Sequence, residues 1–151
     1  MGQRALLAVE RPNGQYDCYY AHWGADGWQL AAVLRDAGPF RGRDLPETVR
    51  RAGVDPTPVA TDRPFAAIPT DHLDYQTYDA CYALRADGAV QPSLVVWFGL
   101  PGYDSTRPRD GALVAVDPTR VEPDGEFLRG RVAGLKAAAL AMVRRDRLSP
   151  A

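Results

Sequence analysis

Two cysteines, two histidines, three serines and one lysine, Lys136, are all that this 151-residue chain holds of those residue types, and each scarcity excludes a class of chemistry. Cys18 and Cys81 are too few for a disulfide framework or a paired CxxC metal site. Free cysteine in such a chain is commonly a small buried hydrophobe, the alternative being a Cys18–Cys81 disulfide or a shared metal. Ser93, Ser105 and Ser149 stand in no nucleophile motif, and there is no Gly-rich phosphate loop and no HExxH. No apolar run approaches the about 20 residues that a membrane-spanning helix needs. The start, MGQRALLAVERP, lacks the basic region, apolar stretch and small-residue cleavage site of a secretory signal. The expectation is a cytoplasmic protein with reduced thiols and no membrane contact. A formal net charge of −1 supplies no global pull toward nucleic acid or anionic lipid.

With 46% hydrophobic and 25% charged residues the chain reads as globular, and its length suits one domain over residues 1–151. Residues 4–10 and 16–22 flank Pro12-Asn13-Gly14-Gln15. Asn-Gly is the preferred pair for a two-residue hairpin loop, in which both positions take positive φ. That loop sets Arg11 opposite Tyr16, Glu10 opposite Asp17, Val9 opposite Cys18 and Leu7 opposite Tyr20. One face then carries Ala5, Leu7, Val9, Tyr16, Cys18, Tyr20 and His22. A second hairpin, 77–85 with 90–100, is expected around Asp87-Gly88, and a further strand at 112–116. Leu94 to Phe98 is apolar without alternation, as in a strand covered on both faces. Pro92, without a donor, places the start of that strand at an edge or bulge, and an exposed edge there would leave a homodimer open.

Helical spacing is expected over 26–37, where Asp26 serves as N-cap, over a short stretch 46–52, and over 125–147. The last would dock on the sheet through Leu128, Val132, Leu135, Ala139, Met142 and Val143. The four prolines at 56, 58, 64 and 69 mark an extended connection with a short strand at 65–68. The fold class is α+β: a mainly antiparallel sheet of two hairpins and one more strand, packed against the helices at 26–37 and 125–147.

Three constellations could carry function. His22-Trp23-Gly24 ends the second strand, near Tyr20 and Asp17, and could line a cleft in which the imidazole binds or transfers a proton. The stretch TDHLDYQTYD, 70–79, sets His72 two residues from Asp74 and beside Asp71. In an extended segment alternate side chains share a face, so His72 and Asp74, joined by His22, could ligate one metal or act as catalytic base. Arg129, Lys136, Arg144 and Arg147 lie along one side of the last helix, with Arg107 and Arg109 in a preceding loop, and such a stripe can track phosphates. Glu10 facing Asp17 adds a like-charge pair across the first hairpin.

The opening MGQRALLAVERPNGQYDCYYAHWGA resembles the start of an uncharacterised family of small haloarchaeal proteins with an MGxRALxAxER strand, a turn and a YDxxYxHWG strand. DHLDYQTYDACYAL is similar to a later segment of that family. The resemblance implies no activity, cofactor or partner and transfers no functional residue. The favoured reading is a binding or accessory module with a cleft near Asp17, Tyr20, His22 and Trp23. The alternatives are a metal-assisted, hydrolase-like enzyme using His22, His72, Asp71 and Asp74, and a nucleic-acid-associated protein using the C-terminal arginines.

Overall fold

The Asn13-Gly14 and Asp87-Gly88 turns close hairpins, each with a loop of three residues. The computed structural model describes residues 4–24, 29–40, 44–97 and 111–116, with eight positions between 130 and 141. Strand β1 (Ala5–Glu10) turns into β2 (Tyr16–Ala21), and β4 (Ala80–Leu84) into β5 (Val90–Trp97). At the first turn Gly14 N–H donates to Arg11 O, and Arg11 N–H to Gln15 O. At the second, Gly88 N–H donates to Arg85 O, and Arg85 N–H to Ala89 O. Gly14 and Gly88 take φ of +79° and +90°, whereas among described non-glycine residues only Asp62 has positive φ. Asn13 and Asp87 are therefore not left-handed, which rules out the two-residue loop. This is the type I turn followed by a left-handed glycine, to which Pro12, with φ already near −65°, is suited.

The consequence is a register one residue away from the sequence expectation. Glu10 lies opposite Tyr16, Val9 opposite Asp17, Ala8 opposite Cys18, Leu7 opposite Tyr19 and Leu6 opposite Tyr20. A one-residue slip exchanges the faces of a whole strand. Tyr16 and Cys18 thus pack with Leu6 and Ala8, and Tyr19 and Ala21 with Ala5, Leu7 and Val9. The like-charge pair disappears as well: Glu10 accepts from the hydroxyl of Tyr16 at 3.2 Å and from Ala86 N–H at 2.9 Å, tying the two hairpin turns together.

Among the described residues the sheet has six strands in the order β3-β2-β1-β4-β5-β6, with β3 at Ala60–Arg63 and β6 at Gly111–Ala115. It is mixed, since β1 and β4 run parallel while the other pairs are antiparallel. Parallel neighbours require a crossover, and the chain between β2 and β4 provides it and covers both faces. Helices α1 (Gln29–Ala37) and α2 (Glu47–Arg51) lie on one side, where Leu30, Leu34 and Val49 meet Leu7, Val9, Tyr82 and Leu84. On the other side, residues 64–79 bring Ile68, Leu73 and Tyr75 onto Leu6, Ala8, Cys18 and Cys81.

Several expectations change. The strand sought at 65–68 lies at 60–63, and Ile68–His72 forms a π-helical turn. The apolar run there serves the core through Ile68, not through strand pairing. Pro92 is the third residue of β5, which is interior to the sheet; its carbonyl accepts from Val116 N–H where β6 ends, so its missing donor is set against the end of the ladder. The outer strands are β3 and β6. A long C-terminal helix docked on the sheet is not seen. Most of 125–147 lies outside the described residues, and the positions described within it are helical and exposed, Leu135 at 66%. Residues 26–28 of the first expected helix also lie outside.

Where β2 ends, Ala21 to Gly24 form a turn, with Gly24 N–H donating to Ala21 O. Gly24 is seated in the core: its carbonyl accepts from the buried Tyr82 hydroxyl at 2.7 Å, and a Cβ there would come within 2.7 Å of the Cβ atoms of Ala5 and Ala21. Overpacking of this kind costs about 1–3 kcal/mol. Gly24→Ala is accordingly expected to lower the unfolding free energy by about 2 kcal/mol in urea denaturation, with the m-value unchanged.

Candidate functional site

The segment after α2 runs beside β2 and is attached at two places. Val54 bridges Ala21, and Asp55 N–H donates to Tyr20 O; further on, Val59 N–H donates to Cys18 O and Ala60 pairs with Cys18. Between these pairings β2 advances three positions while the segment advances six. The surplus contains Pro56 and Pro58, which have no N–H to offer a ladder. The chain therefore leaves β2 opposite Tyr19, and a cavity of about 740 Å³ opens between the proline segment, β2, Phe40 and Asp44.

The cavity's interior is built from side chains that bind one another. Arg11 Nε donates to Asp17 Oδ2 at 2.7 Å and its Nη2 to the Tyr19 hydroxyl at 2.6 Å. The second oxygen of Asp17 accepts from Asp62 N–H at 3.0 Å. This bond holds a bulge: Tyr16 pairs with Arg63 and Cys18 with Ala60, so Asp17 faces both Thr61 and Asp62. Asp62 takes a φ of +52°, which an aspartate tolerates better than most residues. At the rim the Asn13 carboxamide donates to Asp62 Oδ1 at 3.2 Å. Burial raises the Tyr19 hydroxyl above its ordinary pKa, and the Arg11 guanidinium pulls the other way. A neutral Tyr19 beside a paired Arg11 and Asp17 makes a fixed array of donors and acceptors.

Of the binding residues expected from sequence, only Asp17 lines this cavity. Tyr20 follows Tyr19 on the strand and so points to the opposite face, where it meets Tyr78 edge-on at 6.2 Å. Its hydroxyl shares a 2.8 Å hydrogen bond with His22 Nδ1. The rings of His22 and Trp23 pack edge to face at 4.8 Å. Because Gly24 occupies the core position, His22 and Trp23 are the outward tip of the turn; both are exposed, Trp23 at 58%. Tyr20, His22 and Trp23 thus form an aromatic row outside this cavity. His72 is half-buried at the end of the π-helical turn, and Asp71 is exposed. Asp74 Oδ1 accepts from Gln76 and Thr77 N–H, so that carboxylate organises its own turn. Among the described residues no group of three or more His, Cys, Asp or Glu is placed to hold a metal ion, and His22, His72 and Asp74 are not assembled into one. Arg107, Arg109, Arg129, Lys136, Arg144 and Arg147 lie outside the described residues.

Arg11, Tyr19, Phe40, Asp44 and Asp62 escaped the sequence reading. No motif marks them; the paired prolines at 56 and 58 were the one available signal.

Against this geometry, the model of a family of unknown function, DUF6735, matches residues 1–52 and 45–151. The chain belongs to that family. An uncharacterised family is also what the N-terminal pattern implied. No curated protein and no solved structure matches the chain. Among the described residues of this DUF6735 protein, no helix is long and apolar enough to cross a membrane.

Cys18 and Cys81 are both free and buried. They sit on β2 and β4, on either side of β1, so two strand spacings of about 4.8 Å separate them. That exceeds the about 7 Å between Cα atoms that a disulfide can span. Burial pushes both thiols up from 9.0 to about 12, with the Asp17 charge adding at Cys18. Burial also raises the hydroxyls of Tyr16, Tyr75 and Tyr78. Groups whose folded pKa is raised stabilise the fold below the unfolded pKa, and that contribution is lost as pH rises through the folded value. The denaturation midpoint is thus expected to fall between pH 9.0 and about 12, less steeply in the double variant Cys18→Ala, Cys81→Ala. A thiol reagent near neutrality should label neither cysteine until denaturant is added.

Proposed function

We propose that this DUF6735 protein is a small binding module whose ligand, polar and of metabolite size, occupies the cavity beside the proline segment. The observation that carries this reading is the Arg11–Asp17–Tyr19 array, whose two bonds of 2.7 and 2.6 Å are aligned on one wall of a cavity of about 740 Å³. Ligand pockets are commonly about 300–1,000 Å³, apolar in the main, with a few convergent polar groups. Here Phe40, Pro56 and Pro58 supply apolar wall, and Asp17, Tyr19, Asp44 and Thr61 supply the polar points. Groups already held by one another lose little freedom when a ligand binds, which favours affinity. The expected roles of Tyr20, His22 and Trp23 shift accordingly: their exposed row is a separate contact surface, on the other face of β2 from Asp17. The cytoplasmic setting inferred from the thiols belongs to the same reading.

The test is thermal denaturation against a panel of polar metabolite-sized compounds that includes cations, anions and sugars. A ligand at about a hundredfold excess over its Kd adds about 2.7 kcal/mol. For a chain of this length that corresponds to about 5–10 °C in Tm. Thr61→Trp, at an exposed position on β3, should fill the cavity and cancel the shift while leaving the Tm of the free protein near that of the wild type. A panel in which no compound distinguishes the wild type from Thr61→Trp overturns the proposal.

A further inference from the structure

Asn13-Gly14 carries a chemical liability that the hairpin does not remove. A glycine after asparagine has no Cβ to obstruct its amide nitrogen from reaching the side-chain carboxamide. In that reaction Gly14 N forms a bond to Asn13 Cγ, the Cγ–Nδ2 bond breaks, and ammonia leaves with the amide proton. The resulting five-membered imide is then opened by water. Cleavage of the new Cγ–N bond gives aspartate. Cleavage of the original peptide bond instead routes the chain through the side chain, as isoaspartate. No other reactant is required.

Three hydrogen bonds restrain the groups of the first step. The nucleophile, Gly14 N–H, is engaged with Arg11 O at 2.9 Å. Asn13 Oδ1 accepts from Gln15 N–H at 3.0 Å. The leaving nitrogen, Asn13 Nδ2, donates to Asp62 Oδ1 at 3.2 Å. The first two are internal to the turn. The third comes from 49 residues away, across the β2–β3 bulge, and exists only while β3 is paired. Asp62 is in turn placed by its N–H bond to Asp17, so the latch on Asn13 is built from the same carboxylate that organises the cavity.

We propose that Asn13 is a deamidation site gated by Asp62, so that conversion to aspartate or isoaspartate reports, and then reinforces, detachment of β3. After conversion, the donor facing Asp62 is gone. A carboxylate stands in its place, and two like charges at hydrogen-bond distance repel. The product therefore loosens the strand whose pairing protected the reactant, at the rim of the cavity. This inference rests on the turn and the bulge, and stands whether or not the cavity binds a ligand.

The experiment incubates purified wild type, Asp62→Gly and, as a control at an exposed position outside the cavity lining, Val59→Ala under mildly alkaline conditions and follows residue 13 by peptide mass spectrometry. The signature is exchange of the carboxamide NH₂ for OH. Glycine accommodates the φ of +52° at position 62 while removing the carboxylate. Circular dichroism confirms that each variant is folded, and each protein unfolded in denaturant supplies its own unprotected rate. The expected result is slow conversion in wild type and Val59→Ala, and conversion about fivefold faster in folded Asp62→Gly, the effect of losing one ordinary hydrogen bond. The converted wild type, isolated by ion exchange, should melt at a lower temperature than the unconverted protein. Equal rates in folded Asp62→Gly and wild type overturn the proposal. So does a wild type that converts as fast folded as unfolded, or a converted form with an unchanged Tm.

Discussion

Strand β1 is buried on both faces from Ala5 to Val9, and the rest of the molecule is arranged to keep it so. No side chain in that run can satisfy a polar partner, so each residue must have protein above, below and on both sides. β2 supplies one side by a short hairpin. β4 supplies the other in parallel, and it can arrive there only through a crossover. The long connection from β2 to β4 is therefore a structural requirement of β1. Its helices cover Leu7 and Val9, and its later residues cover Leu6 and Ala8. A fully buried leucine contributes about 1.5–3 kcal/mol, which makes Leu6 and Leu7 together a large fraction of the net stability of an ordinary domain.

The cavity follows from the same connection. Having to run past β2 on its way to β4, the chain pairs with it where its backbone permits and leaves it where Pro56 and Pro58 forbid. A second irregularity, the bulge at Asp62, follows immediately. Asp17 joins the two, since one of its oxygens anchors Arg11 and the other holds the bulge. A carboxylate with both oxygens committed is a positioning element, and it transmits the geometry of β3 to the array below the proline segment.

Much of this was visible in the residues. The two hairpins, the short helix at 46–52 and the later part of the helix at 26–37 stand close to where turn chemistry and apolar spacing put them. The register did not follow, because Asn-Gly serves both a two-residue loop and the second and third places of a three-residue one. The Asn-Gly pair alone does not choose between them; the fixed φ of Pro12 at the first loop position favours the three-residue loop. The density of aromatic residues at 16–23 had the same ambiguity. It divides into buried Tyr16 and Tyr19 on opposite faces, half-buried Tyr20, and an exposed His22-Trp23 tip. His22 was sought in a cleft because strand ends are good places for one. Gly24, small enough to lie against Ala5 and Ala21, takes the inward position and turns His22 out.

By itself the sequence determined the local elements: where the chain must turn, which stretches are apolar enough to be buried, and that no cysteine framework or known catalytic motif is present. These depend on neighbours within a few residues. Only the tertiary structure decided which strands are adjacent, that β1 and β4 run parallel, which face each tyrosine occupies, and that Arg11, Asp17 and Tyr19 meet Phe40, Asp44 and the prolines around one cavity. Such meetings join residues as far apart as Asn13 and Asp62. They arise from the single requirement that both faces of β1 be covered at once, a condition on the whole chain that no local pattern encodes.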